Sequence, residues 1–146
     1  GNTIEPGIYE YLITEIDKTE TKGTGKHPPS PMHVVKAKID LGNFNERTIT
    51  DYFVLHESLE WKVSQFLVSI GQKEKGKPCK PDWSNAAIVG KRGLLETRNQ
   101  KSIDGRIYAR VLQWLPQEEY EKRKEENHDS DFLGDFEPIN DDRIPF

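Results

Sequence analysis

The chain has 146 residues, room for one domain of roughly 100–120 residues plus an appendage. Charged residues make up 32% of it against 34% hydrophobic, so the core is modest and a long polar segment must sit outside it. No stretch approaches the roughly 20 apolar residues of a membrane span, no charged start leads into an apolar secretion segment, and the single cysteine, Cys79, excludes an internal disulfide framework; no membrane partner and a cytoplasmic location are expected.

In chain order, Glu5-Pro6-Gly7 is turn chemistry that launches a first strand over 8–16. Ile8, Leu12 and Ile16 share one parity there and Tyr9, Tyr11 and Ile13 the other, so both faces carry bulk. Residues 18–31, with Lys26, two adjacent prolines and a Ser-Pro, break the pattern and read as a long basic-leaning loop. A second strand over 32–41 alternates cleanly. His33, Val35, Ala37 and Ile39 fall on one side, Lys36 and Lys38 on the other. Gly42-Asn43 is a turn, and the third strand, 47–55, pairs antiparallel with the second.

Between Ser58 and Gly71 the period changes to about 3.6, with Leu59, Val63, Phe66, Leu67 and Ile70 on one stripe. Ser58 is the expected N-cap and Gly71 the expected C-terminal stop. Trp61 and Val68 fall on the opposite side, a second surface that wants covering and leaves a homo-oligomer open. A Lys-rich loop over 72–81 follows, then one short helical turn after Asp82. Gly90-Lys91-Arg92-Gly93 introduces a fourth strand through about Arg98, and Asp104-Gly105 turns into a fifth over 106–115. In that strand Ile107, Ala109 and Val111 face one way, and Tyr108, Arg110 and Trp114 the other. Pro116 stops the sheet. Residues 117–127 read as a short exposed helix with favourable i,i+4 charge pairs, and the chain beyond as an acidic tail.

The net charge of −4 is divided unevenly along the chain. Residues 117–146 hold 11 acids and 4 bases, net −7; residues 1–116 hold 14 acids and 17 bases, net +3. A basic body with an acidic extension suits a protein that holds a polyanion with one part and something basic with the other. The two parts divide at 116: an oligonucleotide-binding (OB)-like single-strand-binding domain over 1–116, and an acidic extension with a partner-binding tip over 117–146.

Three strands, a helix and two more strands is the order of a mainly β, five-stranded OB-like Greek-key barrel with one helix between strands three and four. A small open α+β sheet with the helix on one face gives the same linear order. In the OB arrangement the ligand face falls on Lys26, Lys36, Lys38, Tyr52, Lys91, Arg92, Arg98, Lys101, Arg106, Tyr108, Arg110 and Trp114. Cations that neutralise phosphates, interleaved with aromatic faces on which unpaired bases stack, are what a single strand requires.

Catalysis finds little support. The four histidines are scattered, no Cys or His spacing suits zinc, and no Gly-rich phosphate loop precedes the helix. No enzyme, no metal and no cofactor are expected.

The last residues, Asp141-Asp142-Arg143-Ile144-Pro145-Phe146, resemble the acidic tip of bacterial single-stranded DNA-binding proteins, in which aspartates precede a terminal Ile-Pro-Phe. Arg143 departs from that pattern. Pro6-Gly7-x-Tyr9 followed by a strand and a Lys-Thr-Gly-rich loop resembles phage and prophage single-stranded DNA-binding proteins. The resemblance implies sequence-tolerant binding and protection of single-stranded DNA in replication or recombination within a bacterial host cell. It also implies capture of host or phage replication and repair proteins through Asp141, Asp142, Ile144, Pro145 and Phe146. The alternative is an interaction adaptor or recombination mediator that uses the tail without binding DNA.

Overall fold

A computed structural model describes the backbone of residues 3–135 and the side chains of residues 3–126. The fold is mainly β. Five antiparallel strands form one sheet: β1 (Ile8–Glu20), β2 (Pro31–Gly42), β3 (Asn45–Val54), β4 (Arg92–Lys101) and β5 (Ile107–Trp114), in the order β3-β2-β1-β4-β5. Helix α1 (Glu60–Ser69) lies between β3 and β4, followed by the single turn α2 (Asn85–Ile88); α3 (Gln117–Asp135) follows β5.

The sheet is not closed into the expected OB-like barrel. β3 and β5 are the two edges of the sheet, and no backbone ladder joins them among the described residues. Side chains bridge the seam instead. The Trp114 indole N–H on β5 donates to Asp51 Oδ2 on β3 at 2.8 Å, and Lys62 of α1 donates to Asp51 Oδ1 at 2.8 Å. Gln65 Oε1, one turn further along α1, accepts the Trp114 backbone N–H at 2.8 Å. Helix α1 therefore straddles the seam, and an edge amide of β5 that a ladder would have satisfied is satisfied by a side chain.

Two bulges decide which side chains reach the core. The register skips Thr14 on β1, where Ile13 pairs with Ala37 and Glu15 with Lys36, and skips Leu112 on β5, where Glu96 pairs with Gln113 and Thr97 with Val111. An extra residue flips the alternation beyond it. Ile13 and Ile16, of opposite parity, both turn inward, which resolves the bulk on both faces of β1. Val111 and Trp114 do the same on β5. The core is aromatic: Tyr11 and Trp114 meet edge to face with centroids 4.9 Å apart, Phe66 meets Trp114 at 4.9 Å and Phe53 at 4.6 Å. The Tyr11 hydroxyl is bonded to Ser69 Oγ at 2.8 Å, and a Cβ on Gly93 would stand 2.5 Å from that hydroxyl, so only glycine fits there.

Other boundaries differ from the sequence reading. The loop expected over 18–31 is shorter, because β1 and β2 continue as a hairpin out to Glu20 and Pro31, closed by Thr21 N–H donating to Ser30 O at 2.8 Å. β4 runs to Lys101 rather than ending near Arg98. The helical segment is capped by His56, not Ser58: the His56 ring accepts the Ser58 N–H at 3.2 Å and a 3-10 turn, Glu57–Leu59, leads into α1. Gly71 ends it at φ +86°, as its type suggests. α3 extends to Asp135, well past the expected stop at Asn127. Its first turns belong to the body: Gln117 donates to the carbonyls of Ser69 and Arg92, and Tyr120 is buried. Glu121 to Glu126 are exposed. Among the described residues no helix is long and apolar enough to cross a membrane.

Candidate nucleic-acid interface

The twelve residues singled out for nucleic acid do not form one surface. The first group lies on the outer face of β2 and β3. Lys36 is opposite Thr50, Lys38 opposite Thr48, and Tyr52, 49% exposed, opposite Val34. Both lysines have acidic neighbours: Lys36 Nζ is 3.5 Å from Glu15 on β1, and Lys38 Nζ is 3.5 Å from Glu46 on β3. The four side chains are about half exposed, so each pair contributes little to stability, roughly 0–1 kcal/mol. Each nonetheless lowers the local potential a phosphate would meet.

The second group lies on the β4–β5 hairpin. Arg98 is directly opposite Arg110, and Gln100 opposite Tyr108, so these four share one face. The Arg110 guanidinium sits over the Tyr108 ring, 5.0 Å from its centroid. Lys101 ends β4 and Arg106 immediately precedes β5. None of the ion pairs formed among the described residues involves Arg98, Lys101, Arg106 or Arg110. Of the two acids of this hairpin, Glu96 accepts from Gln113 Nε2 at 2.6 Å and Asp104 is engaged at the turn. Asp104 accepts from the Ser102 hydroxyl, from Arg106 N–H at 2.9 Å and from the Tyr108 hydroxyl at 3.0 Å. These bonds, the one from Ser102 foremost, hold its carboxyl below the usual carboxylate range. The carboxylate thereby fixes the Tyr108 ring as well as the turn.

The rest are dispersed. Lys26 is exposed in the connection between β1 and β2, where its N–H donates to Thr24 Oγ1 at 3.3 Å. Lys91 is exposed just before β4, and Arg92 lies 3.7 Å from Glu10. Trp114 is not on a surface at all: it is 2% exposed, with Tyr11 and Phe66 against its ring and Asp51 on its N–H. The bulge at Leu112 put it there, and it has no face left for a base. The tip residues Asp141, Asp142, Ile144, Pro145 and Phe146 lie outside the described residues.

Two exposed aromatics escaped the sequence-based set. Phe44 at the β2–β3 turn is 105% exposed and sits at φ +62°, a conformation that a bulky side chain rarely adopts. Trp61 on α1 is 62% exposed. The signal for Trp61 was its place off the helix's apolar stripe; for Phe44 it was the sequence Gly42-Asn43-Phe44-Asn45, a turn with an aromatic where glycine is the common choice.

No group of three or more His, Cys, Asp or Glu side chains among the described residues is arranged to hold a metal ion. No protein-family model matches the chain, and no curated protein matches it at a significant level.

Proposed function

We propose that this protein binds single-stranded DNA without sequence preference, in replication or recombination, and that its acidic tip recruits the proteins that act on that strand. The observation that carries the reading is the outer face of the β4–β5 hairpin. Two arginines stand directly opposite each other there, one of them packed over a tyrosine ring, and neither joins an ion pair among the described residues; Glu96, two residues along β4 from Arg98, is bonded to Gln113 instead. Like charges placed opposite one another cost stability, and a bridging phosphate relieves that cost. The tyrosine beside them offers a π surface of the kind bases stack on, for about 1–3 kcal/mol each.

The fold supports the same reading. The OB fold is a partly open five-stranded barrel that binds oligonucleotides with strands two and three and with the loops joining strands one to two and four to five. The strand order here, with β3 and β5 as edges held together under α1, is compatible with an OB-like body. The basic body and the net −7 extension divide the work between strand and partner.

The test is anisotropy of end-labelled oligo-dT titrated with the protein at several salt concentrations. Binding that weakens linearly with log salt, at about 0.7 units per phosphate neutralised, and that is similar for oligo-dT and mixed sequence, is expected. No binding at low salt would contradict the proposal.

A further inference from the structure

The second face of α1 is left over once the β4–β5 and β2–β3 surfaces are assigned. Trp61, Gln65 and Val68 lie on it at helical spacing, and with Gln113, Pro116 and Lys75 they line a groove of about 370 Å³. The other two tryptophans are structural. Trp114 is in the core, and Trp83 packs against Phe66, 5.8 Å away and nearly parallel, and against His33 at 4.4 Å. Trp61 alone turns most of its indole to solvent.

Lys62, next to Trp61, anchors the helix that carries this face. Its ammonium donates to Asp51 Oδ1 and to the carbonyl of Tyr52, both at 2.8 Å, which brings the first turn of α1 against the Tyr52 end of β3. The exposed Trp61 indole directly precedes this lysine in the chain. On the far side of the groove, the loop after α1 carries Lys73, Lys75, Lys77 and Lys80. Lys77 is paired with Glu74 at 2.7 Å, and Lys73 is turned onto backbone carbonyls. Lys75, which lines the groove, takes part in none of the ion pairs among the described residues. Exposed Glu57 and Glu60 shortly precede Trp61 in the chain and hold the local charge down, so stacking must contribute more than phosphate pairing at this point.

We infer that the groove takes the continuation of the bound single strand past Gln113 of β5, with one base stacked on Trp61 and the adjoining phosphate met by Lys75. This rests on the single-strand-binding reading and extends the path from the sheet onto the helix that straddles the seam. The lining favours a base over an apolar peptide anchor. Three of its nine lining residues, Gln65, Lys75 and Gln113, carry an amide or an ammonium, and Trp61 offers an open platform rather than a closed pocket.

Two signals measured together test it: anisotropy of labelled oligo-dT, which reports binding, and intrinsic tryptophan emission, which reports Trp61. With dT of about 20 nucleotides, longer than the roughly 4–16 that one OB-type body covers, emission of the full chain should be quenched. Trp61→Phe should remove that quenching while keeping affinity. Trp61→Ala should weaken the long oligonucleotide about tenfold and leave dT of about 6 nucleotides unchanged. Trp61 is exposed, so both variants should melt like the parent. Binding with unchanged tryptophan emission would overturn the inference and leave the proposed function standing, whereas absence of any anisotropy change would remove both. A change in the emission of the DNA-free protein on deleting residues 136–146 would mean that the groove holds the chain's own tail, which also overturns it.

Discussion

The β2–β3 ribbon and the β4–β5 hairpin are built alike. Each is an antiparallel pair closed by a tight turn, with cations and a tyrosine on its outer face. They differ in what stands beside the cations. Lys36 and Lys38 have Glu15 and Glu46 within 3.5 Å, whereas none of the ion pairs among the described residues reaches Arg98 or Arg110. A polyanion is attracted by the field left after neighbours are counted, not by the number of lysines and arginines. Arginine also adds a planar fork that meets phosphate with two bonds. The comparison therefore puts the weight of binding on the hairpin and makes the ribbon a secondary surface.

The largest effect should come from the arginines. Arg98→Ala with Arg110→Ala is expected to weaken oligo-dT binding at least tenfold, since a hydrogen bond to a charged group contributes about 1.5–3 kcal/mol. Lys36→Ala with Lys38→Ala should cost only about two- to threefold, each lysine having an exposed partner already. Parity of the two doubles would break the comparison. Next comes the ribbon's own turn. Asn43 and Phe44 both have positive φ, at +54° and +62°, and a non-glycine residue pays on the order of 1 kcal/mol there. Phe44→Gly should raise the stability of the body by about 1 kcal/mol in urea unfolding; a loss would show that the exposed ring is held by contacts outside the described residues.

A smaller effect sharpens the same contrast from the other direction. Glu15→Gln with Glu46→Gln frees the two lysines and should raise affinity about two- to threefold, with a steeper salt dependence. The smallest is a pH effect centred on β2. His33 is buried against Trp83, its Nδ1 has no hydrogen-bond partner, and burial together with nearby Lys18 holds its pKa below the ordinary value of 6.5. The folded state therefore binds its proton less readily than the unfolded chain. Its contribution to stability is complete above about pH 6.5 and is lost as pH falls below that value, levelling off beneath the folded pKa. His33→Gln should flatten a melting-temperature profile between about pH 7 and 5, and an unchanged profile would place the acid sensitivity elsewhere.

Much of the fold was legible because it depends on local pattern. The alternation in 32–41, the Gly42-Asn43 and Asp104-Gly105 turns, and the stripe Val63, Phe66, Leu67 and Ile70 each specify an element without help from the rest of the chain. The bulges were not legible. Nothing in the residues around Thr14 or Leu112 announces an extra residue; the register comes from the strands opposite. That is why Trp114 read as an outward residue and lies in the core. Closure of the sheet was equally hidden, because it turns on whether two edges pair by backbone or by Asp51, Lys62 and Trp114. The candidate site was half legible for the same reason. Sequence shows which residues are cationic, but Glu15 and Glu46 are 21 and 8 residues away from the lysines they face, and only the register brings them there.

The most direct test of the account is the salt dependence of oligo-dT affinity, measured side by side for the parent, the Arg98→Ala/Arg110→Ala double and the Lys36→Ala/Lys38→Ala double. The arginine double should lower the slope of log affinity against log salt by about 1.4 units, two phosphate contacts at about 0.7 each, and the lysine double by clearly less. A full loss of slope in the lysine double with none in the arginine double would place the strand on the β2–β3 face and contradict the account.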